Sequence, residues 1–72
     1  MEDLVDGRIV YYMVNPLQSR AAVVTHVWNE EGVVNLYIFP DGSFHVENLI
    51  RTSVRYNKMK EIDTWHWIPR KW

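Results

Sequence analysis

The stretch Val33-Val34-Asn35-Leu36-Tyr37-Ile38-Phe39, closed by Pro40-Asp41-Gly42-Ser43, decides the fold. A run rich in β-branched and aromatic residues favours an extended strand, and an Asp-Gly pair after it is a strong hairpin signal. The chain therefore turns back on itself here. Towards the N-terminus, Ala21 to Trp28 has the same character and ends at Asn29-Glu30-Glu31-Gly32, whose glycine can take the positive φ of a hairpin corner. Gly7 to Val14 is a further such run, stopped by Asn15-Pro16, where proline removes a backbone donor. Towards the C-terminus a fourth strand is expected over Ile50 to Tyr56, and Phe44 to Val46 can pair briefly with the third strand before it. Asn57 to Thr64 is polar and reads as a loop or a single helical turn. Trp65 to Ile68 then makes a short fifth strand before Pro69.

Short strands at close spacing, with turn chemistry between them and no helical period, define an all-β barrel or sandwich. A chain of 72 residues is too short for a sandwich. The expected fold is one all-β domain over residues 1–72, a small five-stranded SH3-like barrel with fraying ends at Met1 to Asp6 and Arg70 to Trp72. A domain of this size buries only about 60% of the surface its unfolded chain exposes, so its core is marginal. With no cysteine for a disulfide or thiolate zinc site, self-association is the remaining common remedy, and a homo-oligomer is expected. Tyr11, Tyr12, Val33, Val34, Tyr37, Ile38 and Phe39 put large apolar groups on both faces of their strands. A strand with one wet face would alternate, so the second face is expected to meet a subunit or a ligand.

No apolar run approaches the roughly 18 residues of a membrane span, and the acidic start Met1-Glu2-Asp3 is unlike a signal peptide. A cytosolic protein without membrane contact is expected. The net charge of −1 hides an asymmetry: Arg8 and Arg20 are the only cations before position 50, whereas Arg51, Arg55, Lys58, Lys60, Arg70 and Lys71 follow it. That basic segment is interleaved with Tyr56, Trp65, Trp67 and Trp72, and cations with rings suit a partner carrying both phosphate and stackable bases. A solvated basic surface would look the same by charge alone.

The chemistry-bearing candidates are few. In Trp65-His66-Trp67 a strand would send both indoles to one face, as a stacking wall, and the imidazole to the other. The structural alternative has the indoles closing the bottom of the core while His66 faces water. Arg20, at the end of a turn, could reach out and hold a phosphate bidentately, or simply be solvated. Arg51, Thr52 and Ser53 gather a cation and two hydroxyls near a strand edge, and Asn35, set among apolar neighbours, must find hydrogen bonds if buried. It either ties a loop or reads a ligand. His26, His45 and His66 lie on separate segments without metal-ligand spacing, and Ser43 near His45 lacks any nucleophile elbow. No metal, cofactor or catalytic residue is expected.

Gly7-Arg8-Ile9-Val10, Arg20-Ala21-Ala22-Val23-Val24, Val27-Trp28, Val34-Asn35-Leu36, Phe39, Asp41-Gly42, Thr52-Ser53-Val54 with Tyr56, and Thr64-Trp65-His66-Trp67 together resemble a large family of small phage and prophage proteins. The resemblance runs from Gly7 to Trp67. It departs at Tyr11, where the pattern has histidine, and before Thr64, where it has Pro-Gly. It implies a viral protein working in the cytoplasm of an infected bacterium. Within such proteins it points to anti-CBASS sponges, oligomers that bind cyclic dinucleotide alarm signals and keep them from host effectors. The resemblance carries over no residue roles, so the candidate ligand-binding set rests on physical choice: Tyr11, Arg20, Asn35, Arg51, Ser53, Trp65, His66 and Trp67. The competing expectation is a protein-interaction or virion-associated adaptor that uses the same aromatic surface. Single-stranded nucleic-acid binding is disfavoured by the near-zero net charge.

Overall fold

The computed structural model describes residues 1–40 and 49–69. Five strands, β1 (Ile9–Asn15), β2 (Gln18–Val27), β3 (Val34–Ile38), β4 (Ile50–Tyr56) and β5 (Thr64–His66), close into a barrel in chain order. The all-β five-stranded barrel expected from the sequence is therefore the fold. Neighbouring strands are antiparallel, except that β5 runs parallel to β4 where it closes the barrel against β1. The Asp41-Gly42-Ser43 corner, the short pairing at Phe44 to Val46 and the tail at Arg70 to Trp72 lie outside the described residues.

Alternation sorts the strands into two faces. Val10 and Tyr12 from β1, Ala22 and Val24 from β2, Val34, Leu36 and Ile38 from β3, Val54 from β4 and Trp65 from β5 point inward and form the core. Leu4 joins them, Gly7 N–H donates to Val24 O at 2.6 Å, and the Met1 ammonium donates to Glu30 O at 3.2 Å. The first residues, expected to fray, are thus held by a buried leucine and by hydrogen bonds.

Strand limits shift by one or two residues at several ends, β1 starting at Ile9 and β3 running over Val34–Ile38, and by three at the start of β2. The β1–β2 turn is tight: Asn15 Oδ1 accepts the Leu17 N–H at 2.9 Å, a local Asx bond that bends the chain within two residues, Pro16 and Leu17. Gln18 to Arg20 consequently belong to β2 and not to the turn. At the other end β5 stops at His66, short of the expected Ile68. Between β4 and β5 the segment Asn57 to Asp63 is a loop with two turns, in which Asn57 Oδ1 accepts Met59 N–H at 2.7 Å and Lys60 and Asp63 take positive φ.

Asn35 marks an irregularity shared by three strands. The register slips by one residue between Val24 and His26 on one side of β3, and again opposite Thr52 and Ser53 on the other. Ser53 has φ 54°, and the ladder is repaired by Asn35, whose Oδ1 accepts both the Ser53 N–H at 3.0 Å and the Trp28 indole N–H at 2.8 Å. Bulges of this kind bend strands and tighten barrel curvature.

Candidate functional site

The structure does not gather the expected ligand-binding residues into one place. Asn35 and Ser53 are joined to each other by a hydrogen bond between β3 and β4, so the Asn35 amide oxygen ties two strands. Arg20 corrects the expectation of a guanidinium reaching out from a turn. Because Gln18 to Arg20 continue β2, the two-residue period that buries Ala22 and Val24 also turns Arg20 inward, opposite Tyr12, with its guanidinium buried.

Trp65 and Trp67 do not form an aligned wall. Trp65 is fully buried, donates its indole N–H to Gly32 O at 2.6 Å, and meets the Tyr56 ring edge-on at 5.0 Å. Trp67 lies beyond the end of β5, so strand alternation no longer sets its direction; its ring stands perpendicular to Trp65, 5.0 Å between centroids. Trp65 is core, and Trp67 is only half-buried against it.

His66 corrects a second expectation, since it is buried and not water-facing. It pairs across the strands with Tyr11, whose ring meets it edge-on at 5.6 Å. Its Nδ1 is buried without a hydrogen-bond partner. Burial first, and the Lys60 charge second, hold its pKa below the ordinary histidine value of 6.5, so the ring is neutral at pH 7.

Arg51 is half-buried on β4, its guanidinium 5.8 Å from the Tyr12 ring centre and donating to Ile50 O at 3.1 Å. The Tyr12 hydroxyl donates to Asp63 Oδ1 at 2.6 Å. Burial and that bond raise the phenol above its ordinary pKa of 10.0, with Arg51 pulling the other way. This cluster locks the β4–β5 loop onto β1, as does the Asp63 N–H donated to Met13 O. Among the described residues no group of three His, Cys, Asp or Glu side chains is placed to hold a metal ion.

A cleft of about 420 Å³ lined by Asn29, Glu31, Val33, Arg55 and Tyr56 opens on one side, and two further surfaces among the described residues can receive something. The first is an open cleft of about 290 Å³ lined by Met1, Glu2, Asp3, Arg8, Trp67 and Ile68, in which the Arg8 guanidinium lies over the Trp67 indole, 5.2 Å from its centroid. The sequence reading missed Arg8 as a site residue. Its signal was weak, because only barrel closure brings the start of β1 beside the residue after β5. The second is the outer face of the sheet. There Ile9, Val23, Tyr37 and Ile50 are successive cross-strand partners over β1 to β4, and Tyr11, Ala21 and Phe39 lie alongside.

Comparison with family models, curated proteins and solved structures finds no match to this chain.

Proposed function

We propose that the protein is a non-catalytic binder that sequesters a cyclic dinucleotide, a phage sponge for a host defence signal, acting in the cytoplasm of the infected cell. The observation that carries this reading is the Arg8–Trp67 pair, a cation and an aromatic ring brought together in one open cleft. Guanidinium groups bind phosphate through charge-assisted hydrogen bonds and stack on bases, and indoles supply stacking surface. Glu2 and Asp3 on the same cleft narrow the ligand class, since they repel dense negative charge. A phosphodiester carrying a single charge is tolerated there better than a triphosphate. The volume of about 290 Å³ sits at the lower edge of ligand pockets, so one cleft accommodates one base with its phosphate, and the ligand's other half needs a second site.

The experiment is a thermal-shift panel of cyclic dinucleotides, nucleoside triphosphates and a short single-stranded oligonucleotide, because a ligand that binds only the folded state raises Tm by mass action. A selective shift with a cyclic dinucleotide is expected. It should fall at least about tenfold in affinity in Arg8→Ala, the size of one lost charge-assisted contact. A panel without any shift, or a shift that Arg8→Ala leaves intact, removes the reading.

The outer sheet face favours a second reading, a protein-interaction adaptor. Its apolar row offers no charge to a phosphate, and an adaptor of this kind would give no shift with any nucleotide.

A further inference from the structure

We infer that the outer sheet face is the interface of a symmetric homodimer, with a second copy of this chain as its occupant. This goes beyond the ligand reading and does not depend on it. Ile9, Tyr37, Phe39 and Ile50 are 40%, 38%, 39% and 58% exposed, although they sit on well-formed strands whose opposite face fills the core. The cross-strand row Ile9–Val23–Tyr37–Ile50 runs over four strands, and the adjacent row His66–Tyr11–Ala21 continues to Phe39, whose N–H donates to Ala21 O at 2.9 Å.

Neither row contains an Asp, Glu, Lys or Arg, and His66 within the second is neutral. A charged partner would find nothing to complement here, whereas an uncharged apolar face is complementary to itself, as a two-fold interface requires. The chain's net charge of −1 adds little repulsion between copies.

Size limits the strength. A whole aromatic side chain covers about 150–250 Å², so rings about two-fifths exposed, with two isoleucines alike, present about 300–400 Å² per subunit. Doubled, the apolar rows give about 600–800 Å², below the roughly 1,200 Å² at which standard specific interfaces begin, which is the range of weak, transient contacts. A weak dimer is expected, with a dissociation constant that area alone does not set.

The test is sedimentation of the intact chain from about 1 µM to about 1 mM, the span over which a small interface dissociates. A mass rising from monomer to dimer is expected, and a constant monomer mass overturns the proposal. Ile50→Lys and Tyr37→Lys put a charge into the row at exposed positions, where their melts should stay close to the parent. Both should hold the chain monomeric at the highest concentration. Should one lysine variant fail to fold, Phe39→Ser supplies the same readout in the neighbouring row. A dimer that survives these folded variants places the interface elsewhere and also overturns the proposal. Nucleotide binding by Arg8 and Trp67 is read separately by thermal shift, so loss of either conclusion leaves the other standing.

Discussion

The two faces of β3 meet opposite fates. Val34, Leu36 and Ile38 are fully buried, while Tyr37 between them is 38% exposed and Asn35 is spent on two hydrogen bonds. The inner face is wholly apolar, whereas the outer one pairs a polar tie at Asn35 with the partly exposed ring of Tyr37. The inner face stabilises the domain. The outer face retains apolar surface that folding leaves uncovered, which is why interaction is assigned to it.

The largest expected effect comes from breaking that contrast at two adjacent residues. Leu36→Ala empties a site with no accessible surface and should cost about 2–5 kcal/mol, a large part of the stability of a domain this small. Tyr37→Ala, one residue along the same strand, should cost under about 1 kcal/mol, because its ring already stands half in solvent. Denaturant melts of both at low micromolar concentration decide it. Equal losses would mean that the outer face is as much a part of the core as the inner one.

A smaller effect is expected at the seam between the faces. Asn35→Ala removes the one oxygen that accepts both Ser53 N–H and the Trp28 indole, and should cost about 1–2 kcal/mol. Asn35→Asp keeps an acceptor at the same place and should recover most of the loss. A variant Asn35→Ala as stable as the parent would show that the bulge at Ser53 holds itself without this tie.

The same contrast explains how much was legible in the sequence. β4 is legible in the sequence over Ile50–Tyr56, as it stands in the structure, because the polar segment that begins at Asn57 marks its end. The sequence places the start of β2 three residues late, at Ala21, because Asn15-Pro16 signals a turn without signalling how short it is. The period of two from Val24 through Ala22 extends to Arg20, a residue that the turn signal at Asn15-Pro16 puts outside the strand in the sequence. Arg20→Ala is accordingly expected to lower stability through lost packing, and not to act as a phosphate contact on the surface. For Trp65-His66-Trp67 the alternation was sound only while the strand lasted. It ends after His66, so Trp67 turned towards Arg8 and the cleft formed from residues at opposite ends of the chain, a pairing no local pattern encodes.

The smallest effect lies at His66, where the outer face contains a buried, titratable group. Burial and Lys60 lower its folded pKa below 6.5, so the unfolded chain takes up a proton at a higher pH than the folded one does. The stability it contributes is therefore fully present above pH 6.5 and is lost as pH falls through the folded value. Charging the ring would also place a cation among Tyr11, Ala21 and Phe39, the neighbours of the proposed two-fold contact. Acidification from pH 7 should therefore lower Tm and weaken self-association together. His66→Phe keeps an aromatic ring against Tyr11 and removes the unpartnered Nδ1, so it should be no less stable than the parent at pH 7 and should lose this part of the acid sensitivity. Melts of both proteins between pH 5 and pH 8 give the comparison, with 6.5 as the upper edge of the window. An identical pH profile in His66→Phe would assign the acid sensitivity to other groups and leave His66 as a neutral packing residue.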